Sequence, residues 1–122
     1  MLVVTGDGEI LMGLGALATI GVQRPQSLSI AVFDNGRYGE TGMQAGHTDA
    51  AVSLPAVACA CGIEQALDIT NEQALREFST LMHSARATLF ARVAITADGT
   101  PRVLPPWDGA LLKTRFSPRH WC

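Results

Sequence analysis

The strongest constraint on the fold of this chain lies between Leu2 and Gly36. Val3 and Val4 lead as a short strand into the turn Gly6-Asp7-Gly8, an apolar helix is predicted from Glu9 to Ile20, and a second strand from Leu28 to Phe33 ends in the turn Asp34-Asn35-Gly36. A strand-helix-strand unit makes its strands parallel neighbours joined by a right-handed crossover. Both polar turns then emerge at the carboxyl edge of the sheet, where open α/β folds bind their ligands. In the helix, Gly13, Gly15, Ala16 and Ala18 interleave with Leu11, Met12, Leu14, Leu17 and Ile20. Being apolar nearly all round, it is expected to be covered on more than one side. Gly21, Pro25 and Gln26 are expected to end it and form the connection.

The first turn has a chemical use. Glycines flanking a carboxylate let the backbone bend sharply and let an anion approach its N–H groups, and the following helix points its positive end at that anion. Asp7 itself repels a phosphate, so an intervening hard cation is implied, with Asn35 offering a second oxygen. Mg²⁺ takes six oxygens and draws only one or two from side chains. Asp7, Asn35, a backbone carbonyl from the loop after Asn35, two phosphate oxygens and a water complete that set.

Gly6-Asp7-Gly8, followed 28 positions after the aspartate by Asn35 within Asp34-Asn35-Gly36-Arg37-Tyr38-Gly39, resembles the cofactor signature of thiamine-diphosphate-dependent enzymes. GDGEILMGLGALATI and DNGRYGETGMQ are most similar to the β-type subunits of sulfopyruvate and phosphonopyruvate decarboxylases. The resemblance implies an α/β fold, a three-layer parallel sheet with helices on both faces, here lacking the first strand and helix of the thiamine-diphosphate-binding fold. Either the chain is a shortened reading frame or fragment, or the missing layer comes from another chain. The resemblance further implies that Asp7, the Asn35 amide oxygen and the Arg37 carbonyl bind Mg²⁺. Gly6, Gly8 and Glu9 would face the diphosphate, with Tyr38 and Gly39 close to the cofactor. His47 would lie in the loop approaching the cofactor, where a neutral imidazole can transfer protons; the plain alternative is an exposed loop side chain.

Two positions depart from the family pattern. Asp34 replaces the first asparagine of a pair whose second member carries the metal. Glu9 stands where many relatives have a small residue, and a charge about 6 Å from a phosphate costs roughly 3 kcal/mol at an effective dielectric of about 20. The Glu9 side chain is therefore expected to point away from the phosphate.

Composition narrows the remaining classes. The 122 residues suit one domain, and 48% hydrophobic against 16% charged residues gives ample material for a core. A net charge of −2 without a basic run argues against nucleic acid as a partner. The apolar stretches are too short or too interrupted by glycine to span a bilayer, and no leader pattern is visible, so a cytoplasmic protein without a membrane role is expected. Cys59, Cys61 and Cys122 lack CxxC spacing and are read as small core or tail residues. GDGEILMG is not GxGxxG, which disfavours dinucleotide binding.

Along the rest of the chain, 35–49 reads as a long polar loop covering a ligand, with four glycines. Ser53 is expected to cap a helix over 54–61, with Pro55 in its first turn. A strand follows over 65–69, then Thr70 and Gln73 form a capping-box pattern for a helix over 71–85 whose stripe is Leu75, Phe78, Leu81 and Met82. Thr88 to Ile95 is the last strand, and Asp98-Gly99 a turn. The α/β domain is assigned to 1–100 and a proline-rich tail to 101–122, where Pro101, Pro105 and Pro106 remove backbone donors. His83, in the helix, and His120, in the tail, have no identifiable partner.

The resulting expectation is a thiamine diphosphate and Mg²⁺ binding subunit or fragment of a 2-oxo acid decarboxylase. It would act on a small 2-oxo acid, within a homo- or hetero-oligomer, and only with a pyrimidine-binding α-type subunit or domain that supplies the activating glutamate. The other reading is a non-catalytic remnant or interaction module that keeps the fold.

Overall fold

The structure is a computed structural model that describes residues 1–84, 86–98 and 103–116. Four parallel strands form the central sheet: β1 (Leu2–Gly6), β2 (Ser29–Asp34), β5 (Gln65–Ile69) and β6 (Leu89–Ala94), in the order β1-β2-β6-β5. β6 enters between β2 and β5, pairing Val32 and Asp68 with Arg92. Side-chain alternation divides the core in two. Ile30, Val32 and Phe90 face α2 (Gly15–Gln23) and α4 (Leu54–Ala60) through Leu17, Leu54 and Ala58. Ala31, Ile69, Leu89, Ala91 and Val93 face α5 (Glu72–Ser84) through Phe78. Helices therefore cover both faces of a parallel sheet, as expected.

The helix expected over 9–20 is two helices, α1 (Asp7–Met12) and α2. Gly13 and Gly15 lie at the break, where each costs about 1 kcal/mol of helix propensity relative to alanine. Gly21 does not end α2 but lies inside it, buried against α4, and the helix stops at Arg24 in the left-handed conformation (φ 48°) before Pro25. Nor is this segment covered all round: Leu17 and Gly21 are buried while Met12 and Val22 are exposed. Small residues made the segment look apolar on every side without requiring burial of every side.

Ser53 caps α4 through Ala56 N–H (3.4 Å). The cap of α5 is Asn71, whose Oδ1 accepts from Ala74 N–H (2.9 Å), and not Thr70. Ala74, Phe78 and Met82, at i, i+4 and i+8, face the sheet; Leu75 and Leu81 flank that stripe and remain exposed. The long polar loop is in fact ordered as a two-stranded antiparallel hairpin, β3 (Arg37–Tyr38) with β4 (Gln44–Ala45), followed by the short helix α3 (His47–Ala50). Gly42 (φ 119°) and Met43 (φ 62°) turn the hairpin, and the Tyr38 carbonyl accepts from Thr41 and Met43 N–H. In the segment expected to lack regular structure, α6 (Gly109–Phe116) forms after the prolines, with Asp108 Oδ1 accepting from Ala110 and Leu111 N–H. Gly99, Pro101, His120 and 117–122 lie outside the described residues. Among the described residues no helix is long and apolar enough to cross a membrane.

Candidate functional site

The carboxyl ends of β1 and β2 open into a cleft of about 1010 Å³. Gly6, Asp7, Gly8, Glu9, Asn35, Arg37, Tyr38, Gly39 and His47 all line it, so every residue singled out from the sequence converges on one space. Leu11, Met12, Phe33, Val52 and Ile95 supply apolar wall.

The β1–α1 turn places Asp7 at the bottom. Its residue is 5% exposed, and its Oδ2 lies 3.1 Å from the Thr48 hydroxyl oxygen. The same hydroxyl lies 2.8 Å from Oδ1 of Asp34, which is 2% exposed. A threonine hydroxyl carries one proton and can donate to one of these carboxylates at a time. The shorter contact assigns that proton to Asp34. Asp7 is left buried, and among the described residues no Lys, Arg or His pairs with it.

Asp34 is compensated. Gly36 N–H donates to its Oδ1 at 2.8 Å, and Arg92 Nε donates to its Oδ2 at 2.5 Å. Arg92 also reaches Asp68 Oδ1 at 2.9 Å, so the guanidinium bridges β2 and β5 across the end of the sheet. Burial pushes the Asp34 carboxyl up, but hydrogen bonds from Arg92, Thr48 and Gly36 outweigh it and hold the group below the ordinary aspartate value of 3.8. The Arg92 guanidinium is held more firmly protonated, chiefly by its bond to Asp34. Asp34 thus belongs to a network with Arg92 and Asp68.

Glu9 folds back over the turn. Its Oε2 accepts from Gly6 N–H at 2.9 Å and from the Thr5 hydroxyl at 2.8 Å, closing the start of α1 as a capping residue. The Gly6 N–H, then the Thr5 hydroxyl, lower the Glu9 carboxyl from its ordinary 4.5. Gly6 N–H is consequently spoken for within the chain.

From the second strand end, Asn35 Oδ1 accepts from Arg37 N–H at 2.9 Å, and Gly36 takes φ 64°, which suits glycine. Arg37 pairs with Asp49 at 3.4 Å. Gly46 N–H donates to the Gly36 carbonyl at 2.6 Å, tying the end of the hairpin to its beginning. A Cβ at Gly46 would lie 3.0 Å from that carbonyl oxygen and 3.2 Å from Asp7 Oδ2. Tyr38 extends over Gly8, where a Cβ would meet its ring at 3.2 Å, and its hydroxyl lies 2.5 Å from His47 Nδ1.

Thr48, Gly46 and Arg92 were not legible as site residues. Arg92 carried a signal: a lone charge at an alternate position of an apolar strand, close to the carboxyl edge. Thr48 carried none, because its role depends on the hairpin bringing residue 48 over residue 7.

Sheet, cleft and turns together define an open α/β domain with its ligand edge at the β1 and β2 termini. The chain belongs to the thiamine pyrophosphate enzyme family through its C-terminal TPP binding domain, whose profile matches residues 1–93. It is 35% identical over 86 residues to the sulfopyruvate decarboxylase subunit beta of Methanocaldococcus jannaschii, covering 70% of this chain and 46% of the relative. The corresponding subunit of Methanococcus maripaludis is 38% identical over 88 residues, 72% of this chain and 46% of the relative. Phosphonopyruvate decarboxylase of Streptomyces viridochromogenes is 43% identical over 88 residues, again 72% of this chain but 21% of the relative. The chain spans less than half the length of these relatives.

Proposed function

We propose that the chain binds thiamine diphosphate through Mg²⁺ as the diphosphate-binding subunit or fragment of a 2-oxo acid decarboxylase of the sulfopyruvate or phosphonopyruvate type. The observation that carries this reading is the Asp7 carboxylate, buried beside the cleft and sharing one hydroxyl with Asp34. A divalent cation held by that carboxylate would supply the counter-charge that no Lys, Arg or His provides among the described residues. Among the described residues no three His, Cys, Asp or Glu side chains gather as a metal site. The donor set that the resemblance implies is mixed and hard: the Asp7 carboxylate, the Asn35 amide oxygen and the Arg37 carbonyl, a set suited to Mg²⁺.

When bound, thiamine diphosphate supplies the electron sink for carbon–carbon cleavage. The chain's own residues anchor and orient. Gly8 and Glu9 N–H face the diphosphate, Tyr38 and Gly39 border the cofactor, and Leu11, Met12 and Phe33 keep that side of the cleft apolar. His47 holds a proton at the rim. Activation of the cofactor requires a pyrimidine-binding α-type subunit or domain, so the protein works as a cytoplasmic oligomer on a small 2-oxo acid and is silent alone.

A remnant or interaction module is the second reading, favoured by the Glu9 carboxylate occupying the Gly6 N–H of the anion turn. Calorimetry of thiamine diphosphate with and without Mg²⁺, each with and without a pyrimidine-domain partner, separates the two. Mg²⁺-dependent heat that disappears in Asp7→Ala supports cofactor binding. Absence of heat in every mixture leaves the remnant reading, and retained affinity in Asp7→Ala refutes the metal assignment.

A further inference from the structure

Tyr38 and His47 face each other across the hairpin, and both are fixed from the backbone. Tyr38 ends β3, its carbonyl accepts from Thr41 and Met43 N–H, and its ring fills the space that Gly8 leaves open. His47 begins α3 immediately after Gly46, whose N–H is bonded to the Gly36 carbonyl. The two rings meet edge to face, with centroids 6.0 Å apart and planes at 73°. This brings the phenol oxygen to Nδ1 at 2.5 Å. A phenol hydroxyl carries one proton to donate, and a neutral imidazole has one donor nitrogen and one acceptor nitrogen.

We propose that Tyr38 is a positioning residue whose hydroxyl donates to Nδ1 of His47, holding the imidazole in the tautomer protonated at Nε2, so that His47 meets a ligand oxygen in the cleft as a hydrogen-bond donor. The role at the ligand rests on the 2-oxo acid reading above; the tautomer does not. The consequence is directional. With Nδ1 engaged, the nitrogen left for the cleft carries a proton, which suits a carboxylate or an oxygen gaining negative charge and does not suit proton abstraction. Because His47 is exposed at the rim, its free nitrogen remains accessible to a ligand.

Long-range proton–nitrogen correlation spectra of the full chain labelled with ¹⁵N-histidine, at a pH where the imidazoles are neutral, test this directly. His47→Gln and His83→Gln assign those two signals apart from His120, and His83, exposed on α5, serves as internal reference. The expected wild-type spectrum shows His47 protonated at Nε2 alone, with its Nδ1 resonance displaced from that of His83 by the hydrogen bond. Tyr38→Phe keeps the ring over Gly8 but removes the donor, and should return both tautomer ratio and Nδ1 shift to the His83 values. A His47 protonated at Nδ1, or a wild-type His47 indistinguishable from His83, would overturn the proposal, as would a Tyr38→Phe spectrum identical to wild type. The wild-type spectrum decides the tautomer even should the variant fail to fold. No cofactor is involved, so a failure of the calorimetric test leaves this result standing, and the reverse also holds.

Discussion

Replacing Arg92 with methionine tests whether the sheet edge is held by charge. The Asp34 side chain is fully buried, whereas Arg92 is 26% exposed and bridges to Asp68. Removing one partner of a buried ion pair costs about 3–5 kcal/mol because the other charge is left uncompensated. Two features reduce that figure: Arg92 reaches solvent, and Gly36 N–H and the Thr48 hydroxyl still donate to Asp34. Arg92→Met should therefore destabilise the fold by about 2–3 kcal/mol at pH 7. With a urea slope of about 1–3 kcal/mol per molar for a small protein, the unfolding midpoint should fall by about 0.7–3 M. The pH dependence follows from the direction of the Asp34 shift. Its folded carboxyl lies below 3.8, so its contribution is present above that pH and is lost as the pH falls through the folded value. In Arg92→Met, burial acts against the carboxylate with less opposition, and protonation relieves it. The gap between variant and wild type should thus narrow on acidification below about pH 4. Asp34→Asn completes a double-mutant cycle whose coupling should be favourable. A loss under about 0.5 kcal/mol, the range of an ordinary surface substitution, or a gap unchanged by acid, would refute the reasoning.

Other outcomes follow from the same geometry. Gly46→Ala introduces a Cβ 3.0 Å from the Gly36 carbonyl oxygen and 3.2 Å from Asp7 Oδ2; on the proposed role of Asp7, displacing its neighbour should weaken Mg²⁺-dependent thiamine diphosphate binding by about tenfold or more in calorimetry, with the urea midpoint little changed. Glu9→Ala removes both bonds that close α1, and because the Glu9 carboxyl is lowered from 4.5, the resulting loss of stability should be seen at neutral pH and vanish as the pH falls through the folded value. A difference that persists in acid would mean that the helix start does not depend on that charge.

The strand-turn-helix-strand opening was legible because each signal was local. Apolar runs, glycines about Asp7 and the Asp34-Asn35-Gly36 turn specify a parallel pair with its ligand edge, whatever the rest of the chain does. Nine residues chosen from those turns and the following segment line one cleft. What sequence patterning missed was contingent on tertiary contact. Gly21 reads as a helix stop, yet α4 passes so close that it belongs inside the helix. Thr70 has the composition of a cap, but Asn71 has the better placed oxygen. Glycines at 36, 39, 42 and 46 suggest a covering loop without regular structure, and it is the hairpin pairing, the Gly46–Gly36 bond and the Thr48 contacts that order it over Asp7. The ion pair of Asp34 was not legible because its partner Arg92 is 58 residues away in sequence.

Position 21 has no room for even one methyl group: an added Cβ would fall 1.7 Å from the Cys61 carbonyl oxygen, a main-chain atom that cannot swing aside. The seam between α2 and α4 is therefore keyed by a hydrogen atom. Sequence drift can repaint most of the outer face of α2, where Val22 already meets solvent, but a larger residue at this point would wedge α2 away from α4.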